Sequence, residues 1–150
     1  MKRTARDLLR VKGTDVWSVS PDATMFDALE VMAEKNIGAV LVMEEDRLLG
    51  ILSERDYARK LEIEGKCSRD TKVSEIMTKN PIVIPPSRTV EESMAVMTEK
   101  RVRHLPVVEG QRVVGLISIG DVVKEIISKQ EFVIEQLENY ITGTPVRPLG

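Results

Sequence analysis

The sequence predicts an α+β protein built from two pseudo-symmetric β-α-β-β-α repeats packed as one body. The first observation is internal. Displaced by 65 residues, positions 21–57 fall on positions 86–122 with 12 identities in 37 and no gap, where composition alone gives about two. The second is that both copies pass through strand-like and helix-like spacing in the same order. The third is length: 150 residues suit one ordinary domain, or two very small ones that lean on each other. A unit of roughly 60 residues buries little surface alone, so the copies are expected to share a core.

Each copy starts with a short extended piece, Val16 to Val19 or Ile82 to Ile84, that ends at Pro21 or at Pro85-Pro86. A helix follows, opened by Thr24-x-x-Asp27 or Thr89-x-x-Glu92. In that spacing a hydroxyl and a carboxylate satisfy the first free N–H groups reciprocally. Met25, Ala28, Leu29 and Met32 in one copy, and Val90, Met94 and Met97 in the other, recur at helical spacing. Two strand-like runs come next. They are Ala39 to Met43 and Leu48 to Leu52 around the polar turn Glu44 to Arg47, and Leu105 to Val108 and Val113 to Ile117 around Glu109 to Arg112. A second helix then begins near Glu54 and near Ile119. The repeats are assigned to residues 10–68 and 76–130, with a polar linker over roughly Gly65 to Asn80 and a C-terminal helix extension and tail at 131–150. In the last helix Val122, Ile126, Val133, Leu137 and Ile141 keep near-helical spacing, more apolar stripe than a two-unit core needs.

Composition removes several functions. Hydrophobic residues make up 42% and charged residues 31%, with 22 Lys and Arg against 24 Asp and Glu, so no global basic field is present to hold nucleic acid. The apolar runs are strand-sized and far short of the roughly 20 residues that span a bilayer. The basic residues of the first dozen, Lys2, Arg3, Arg6, Arg10 and Lys12, surround Leu8-Leu9 but precede no apolar stretch of signal-peptide character. That segment is expected as a solvated helix packing its two leucines on the body, ahead of an arm for nucleic acid or lipid. A soluble cytoplasmic protein is the expectation. The single Cys67 makes neither a disulfide framework nor a thiolate zinc site, and the single His104 excludes a multi-histidine metal site. The glycines match neither a dinucleotide fingerprint nor a P-loop, and no nucleophile elbow occurs. No catalytic residue and no metal site is expected.

The most faithfully repeated element is Gly50-Ile51-Leu52-Ser53-Glu54-Arg55-Asp56, matched by Gly115-Leu116-Ile117-Ser118-Ile119-Gly120-Asp121. Two readings of it stand side by side. Ser and Asp three apart cap a helix. The same pair can face a ligand, because a hydroxyl beside free backbone N–H groups suits a phosphate and a carboxylate can accept both hydroxyls of a ribose. Where copy one has Gly38-Ala39, copy two has Arg103-His104, followed by Leu105-Pro106. Two basic side chains there can complement phosphate or stand as a solvated strand edge. Arg55 adds charge beside Ser53. Pro106 removes a backbone donor, and copy one has Leu41 instead, so the two clefts should differ. Trp17 can stack on a planar ligand ring or join the core, and the seven Met residues are core filler.

Two copies that close with Gly-h-h-Ser-x-x-Asp (h for apolar), one carrying Arg-His-Leu-Pro-Val, resemble a tandem pair of cystathionine-β-synthase (CBS) domains, or Bateman module, over about residues 10 to 130. The stretch Ser53 to Lys60 is similar to stand-alone prokaryotic proteins of that kind. The resemblance implies a regulatory module that binds an adenine nucleotide in clefts between the repeats. AMP heads the candidates, with ADP, ATP, NAD(H) and S-adenosylmethionine behind it, and Mg²⁺ entering only with a polyphosphate. It implies that Asp56 and Asp121 hold ribose, that Ser53 and Ser118 contact phosphate, and that Ile51, Leu116 and Ile117 flank the nucleotide. Adenine would lie near Val16 or Ile82, against Gly38 and Ala39 or the Arg103, His104, Leu105 and Pro106 segment. Arg103 and His104 match phosphate-facing positions. A homodimer through the helices and an unidentified effector protein are implied, with no membrane and no nucleic acid as partner. Copy one lacks the basic pair and the proline, and copy two lacks Glu54-Arg55. A constitutive dimeric scaffold without ligand is the competing expectation.

Overall fold

The computed structural model describes residues 2–142, and positions 143–150 of the expected tail lie outside them. In chain order the elements are α1 (Ala5–Lys12), β1 (Ser18–Val19), α2 (Met25–Lys35), β2 (Ala39–Glu44), β3 (Arg47–Ser53), α3 (Glu54–Asp56) running into a π-helical turn (Tyr57–Glu62), α4 (Val73–Ile76), β4 (Thr78–Lys79), α5 (Val90–Lys100), β5 (His104–Glu109), β6 (Arg112–Ser118) and α6 (Ile119–Thr142). The protein is α+β and duplicated, as the sequence predicts. Thr24 with Asp27 and Thr89 with Glu92 form complete capping boxes at the starts of α2 and α5.

β1 lies parallel to β2, which pairs antiparallel with β3, and β4 completes that sheet on the far edge of β3. The second sheet is the β5–β6 hairpin, and its counterpart of β1 shrinks to a single parallel bridge between Ile84 and Val107. Prolines bracket that segment at Pro81 and Pro85 and deprive it of ladder donors. Both hairpins slip register at equivalent places, between Val42 and Met43 and between Val107 and Val108. The duplication therefore extends to an irregularity of the backbone.

The expected linker is structured, and it reveals how the repeats close. α4 packs on the first repeat: Met25 N–H donates to the Thr71 carbonyl at 2.8 Å and Val73 N–H to the Ala23 carbonyl at 2.8 Å. α1 performs the same service for the second repeat. Ala5 N–H donates to the Arg88 carbonyl at 2.8 Å, Arg6 N–H to the Pro86 carbonyl at 3.0 Å, and Val90 N–H to the Arg3 carbonyl at 2.9 Å. Each repeat is thus covered by the helix that precedes the other one. The glycines of the closing motifs make room for this. A Cβ on Gly115 would stand 2.5 Å from Leu9 Cδ2, and one on Gly50 would stand 2.7 Å from the Thr78 carbonyl oxygen and 2.8 Å from Met77 Sδ.

With its borrowed helix, each repeat encloses its own core instead of the one shared core expected from the size of the unit. Ala5, Leu8 and Leu9 bury against Ile84, Val90, Met97, Leu105, Val107, Ile117 and Val122. Val73 and Ile76 bury with Met25, Ala28, Met32, Val40, Val42, Leu52 and Leu61. An extra amphipathic turn contributes on the order of 2 kcal/mol for each aliphatic side chain it buries, which lets so small a unit close. What the repeats share is an interface. Along β2 the side chains alternate faces, so Ala39 and Leu41, both buried, lie opposite the core residues Val40 and Val42. By the same alternation His104 and Pro106 lie opposite Leu105 and Val107 on β5.

Candidate ligand clefts between the repeats

The closing motifs fold as helix caps. Ser53 N–H donates to Asp56 Oδ2 at 2.8 Å and Asp56 N–H to Ser53 Oγ at 3.3 Å; Ser118 N–H donates to Asp121 Oδ2 at 2.8 Å and Asp121 N–H to Ser118 Oγ at 3.2 Å. Each carboxylate also holds a lysine. Lys60 Nζ stands 3.1 Å from Asp56 Oδ1 and donates to the Ile76 carbonyl at 3.0 Å. Lys12 Nζ, on the last turn of α1, stands 2.6 Å from Asp121 Oδ2 and donates to the Leu116 carbonyl at 2.8 Å. Burial raises the Asp121 carboxyl, but the Lys12 ammonium and the Ser118 N–H outweigh it and hold the group below its ordinary value.

Around Ser118 lies a cleft of about 470 Å³ drawn from both repeats: Lys12, Gly13, Asp15 and Trp17 from the entry segment, Asn36, Ile37, Gly38 and Ala39 from the first repeat, and His104, Leu116 and Ser118 from the second. Trp17 is 38% exposed, so it joins the cleft instead of the core, and the Lys35 ammonium sits 4.3 Å from its ring centroid. Gly38 brings first-repeat backbone alongside this wall, where a Cβ would stand at ordinary contact distance, 3.5 Å from Glu54 Oε1 and 4.0 Å from His104 Nε2. Burial, with the Lys12 charge behind it, pushes the His104 imidazole below its ordinary value, which leaves it neutral at pH 7 and able to donate or accept a hydrogen bond. The cleft therefore mixes the apolar and aromatic surfaces of Trp17, Ile37, Ala39 and Leu116 with the polar groups of Lys12, Asp15, Asn36, His104 and Ser118, an arrangement that suits a small planar ligand.

A second cleft of about 520 Å³ lies between the π-helical turn of the first repeat and the α5–β5 junction of the second, lined by Arg55, Arg59, Arg101 and Arg103 with Met97, Thr98, Val102 and Ile119. A third, open groove of about 1350 Å³ runs between the two hairpin turns and takes in Val16 and Val83.

The residues singled out in the sequence thus divide. Gly38, Ala39, His104, Leu116 and Ser118 line one cleft, with Asp121 at its edge through Lys12, and Arg55 and Arg103 line the second. Val16 lies in the open groove, and Ile82 is 36% exposed. Ile51 is half-buried on β3 ahead of Ser53 and Asp56. Leu105 and Ile117 are fully buried in the second core, and Pro106 is buried with its carbonyl accepting from Ile84 N–H at 3.1 Å. Strand alternation sends Leu105 and Ile117 into the core, so a ligand would meet only their backbone. Lys12, Asn36, Ile37, Arg59 and Arg101 escape sequence reasoning. An alignment of Thr4-x-x-Asp7-Leu8-Leu9 on Lys72-x-x-Glu75-Ile76-Met77, at an offset of 68, would have placed α1 and with it Lys12.

The sequence profile of the CBS domain matches twice, over residues 5–63 and 73–128. The chain belongs to the CBS domain family. Two profile matches separated by residues 64–72 make it a tandem CBS pair. It is 36% identical over 150 aligned residues to the mitochondrial CBS domain-containing protein CBSX3 of Arabidopsis thaliana, covering 93% of this chain and 72% of that one. A solved structure of a protein with CBS domains from Burkholderia ambifaria is 45% identical with a TM-score of 0.81, over 85% of this chain and 96% of that one. The fold is shared at 23% identity and a TM-score of 0.76, over 86% of this chain and 99% of that one, by a CBS domain pair solved in complex with 5′-methylthioadenosine and S-adenosyl-L-methionine. Among the described residues of the CBS pair, no helix is long and apolar enough to cross a membrane.

Proposed function

We propose that this CBS pair is a regulatory module that senses an adenine nucleotide, with AMP the first candidate and ADP, ATP or NAD(H) the others, and that it is not an enzyme. The observation that carries the reading is the cleft in which Gly38 and Ala39 of one repeat, His104, Leu116 and Ser118 of the other, and Trp17 meet. A ligand there touches both repeats, so its binding free energy depends on their relative orientation and shifts it. The adenosine ligands of the 23%-identical CBS pair are in keeping with this. In the proposed complex Asp121 leaves Lys12 to accept the ribose hydroxyls and Ser118 turns toward phosphate, with Asp56 and Ser53 playing those parts in the other cleft. A homodimer formed on the exposed stripe of α6, where Ile127, Ile134, Leu137 and Ile141 are 48%, 55%, 57% and 80% exposed, would pass the change to an effector protein.

The completed caps favour a second reading, a constitutive dimeric scaffold in which Ser53, Asp56, Ser118 and Asp121 serve structure alone. A thermal-shift panel of adenine nucleotides, S-adenosylmethionine and GTP on the wild type and on Asp56→Ala/Asp121→Ala separates the two. The sensor gives a rise confined to adenine compounds, of about 2.7 kcal/mol at roughly 100 times the dissociation constant, and the double variant loses the ligand-induced rise whatever its baseline. A flat panel from protein that releases no adenine on acid extraction establishes the scaffold.

A further inference from the structure

The last helix outruns the unit that it closes. α6 continues from the end of the second CBS profile, at residue 128, on to Thr142. Its counterpart in the first repeat stops at Glu62, the pseudo-symmetric position of Ile127. The near half of α6 is anchored in the body. Val122 lies in the second core, Glu125 Oε1 stands 3.0 Å from Arg3 Nε, and Lys129 Nζ stands 3.6 Å from Glu91 Oε1 on α5. The far half presents apolar side chains to solvent: Val133 and Tyr140, 48% and 86% exposed, widen the stripe of Ile127, Ile134, Leu137 and Ile141.

The spacing of that stripe is the spacing of a helix pair. Ile127, Ile134 and Ile141 recur every seven residues, and Gln130 and Leu137 follow the first two by three. With the isoleucines at a, these are the a and d positions of a coiled coil, and isoleucine at a with leucine at d favours two parallel strands. The flanks give the direction. Glu131 and Glu138 stand at e, and Ile126, Val133 and Tyr140 stand at g. A parallel pair sets each e against a g of the other helix, so the glutamate stems lie along apolar side chains. An antiparallel pair sets e against e and brings glutamates of the two chains together. No base would relieve them, because Lys129 is the one base between Ile127 and Thr142 and pairs with Glu91. As a free peptide so short a helix would be marginal. Here its first turns are fixed in the body, so little ordering remains to oppose association.

We propose that the distal half of α6 pairs in parallel and in register with the same segment of a second copy. This deepens the homodimer of the reading above and rests on it: it fixes the seam, its orientation and a two-fold axis along the helices. α6 begins at the cap of Ser118 and Asp121, so a ligand that opens that cap acts at the root of the helix whose tip is the seam.

The test is sedimentation equilibrium of the wild type and of Ile134→Asn/Leu137→Asn over about 1–200 µM. Oxidative cross-linking of Ile127→Cys and of Ile141→Cys accompanies it, each on a Cys67→Ser background that removes the exposed native thiol. The substituted side chains are all exposed, and melting within about 2 °C of the wild type confirms the fold. The wild type should be a dimer whose dissociation constant rises about tenfold or more in the Asn variant. Positions 127 and 141 lie about 21 Å apart along the helix, so in the parallel seam each Cys variant links to its own copy. In an antiparallel seam only a mixture of the two variants links, and cross-links confined to the mixture overturn the proposed orientation. A dimer as tight in the Asn variant as in the wild type overturns the α6 seam while the homodimer stands on another surface. A wild type that stays monomeric up to about 200 µM overturns the homodimer and the seam together.

Discussion

Leu9 and Gly115 offer a direct measurement of how firmly α1 belongs to the second repeat. Leu9 is 4% exposed and lies in the second core, so Leu9→Ala should cost about 2–4 kcal/mol from lost transfer and the cavity left behind. Gly115→Ala places a Cβ 2.5 Å and 2.6 Å from the two Leu9 methyl carbons and 3.1 Å from its Cγ. Overpacking of that kind should cost about 1–3 kcal/mol. Independent sites would sum to roughly 3–7 kcal/mol, enough to unfold a protein of ordinary stability. They are not independent here, because truncating Leu9 vacates the space that the methyl introduced by Gly115→Ala enters. The double variant should be no less stable than Leu9→Ala alone, which gives a favourable coupling of about 1–3 kcal/mol. Urea unfolding of the wild type, both single variants and the double variant measures this at equal m-values. Additive losses would show that α1 does not rest on β6.

Other outcomes can be checked on the same protein. Lys12→Met frees Asp121 for a ribose, so adenosine binding should tighten about two- to fivefold while stability falls by about 0.5–1 kcal/mol, the ordinary worth of a part-exposed pair; weaker adenosine binding in calorimetry would remove Asp121 from the site. Because His104 is held below its ordinary value by burial and by Lys12, against the opposing pull of Asp121, the folded chain resists a proton that the unfolded chain accepts. Stability should therefore fall as pH drops from about 7 toward 5, and His104→Asn should flatten that slope in denaturation curves taken across the window. A slope identical in the variant would refute this. Ser93 is fully buried where the first repeat has Ala28, and its hydroxyl donates at 2.9 Å to the Thr89 carbonyl that already accepts from Ser93 N–H at 2.9 Å. Ser93→Ala should stay within about 0.5 kcal/mol of the wild type, and a loss above about 2 kcal/mol in thermal melts would break the equivalence.

The duplicated hairpins and the α2 and α5 caps are legible because their signals are local: hydroxyl and carboxylate three apart, short continuous apolar runs along β2 and β5, polar turns at 45–46 and 110–111. The shared core is a mistaken expectation because it rests on unit size alone and omits the covering helices. Those helices hide behind a three-residue difference in spacing, 68 against 65, and behind Lys72 standing where Thr4 caps α1. Of the candidate ligand residues, Ser53, Asp56, Ser118 and Asp121 announce themselves by repetition. Lys12 and Arg59 do not, since a lone base on an exposed helix carries no sign of what the other repeat will bring beside it. Leu105 and Ile117 show the opposite failure: adjacency to functional positions in the chain says nothing about which face of the strand a side chain takes.

The crossing of α1 and α4 bears on how such a chain could have arisen. A single ancestral unit of helix, strand, helix and hairpin could not lay its leading helix over its own core if that helix always covers the neighbour. It would have been stable only as a pair of identical molecules trading their first segments. Joining two such genes end to end would have made the exchange internal and left each half free to diverge. Arg55, Arg59, Arg101 and Arg103, standing where the other half has Gly120, Lys124, Asn36 and Gly38, show how far the two halves now differ.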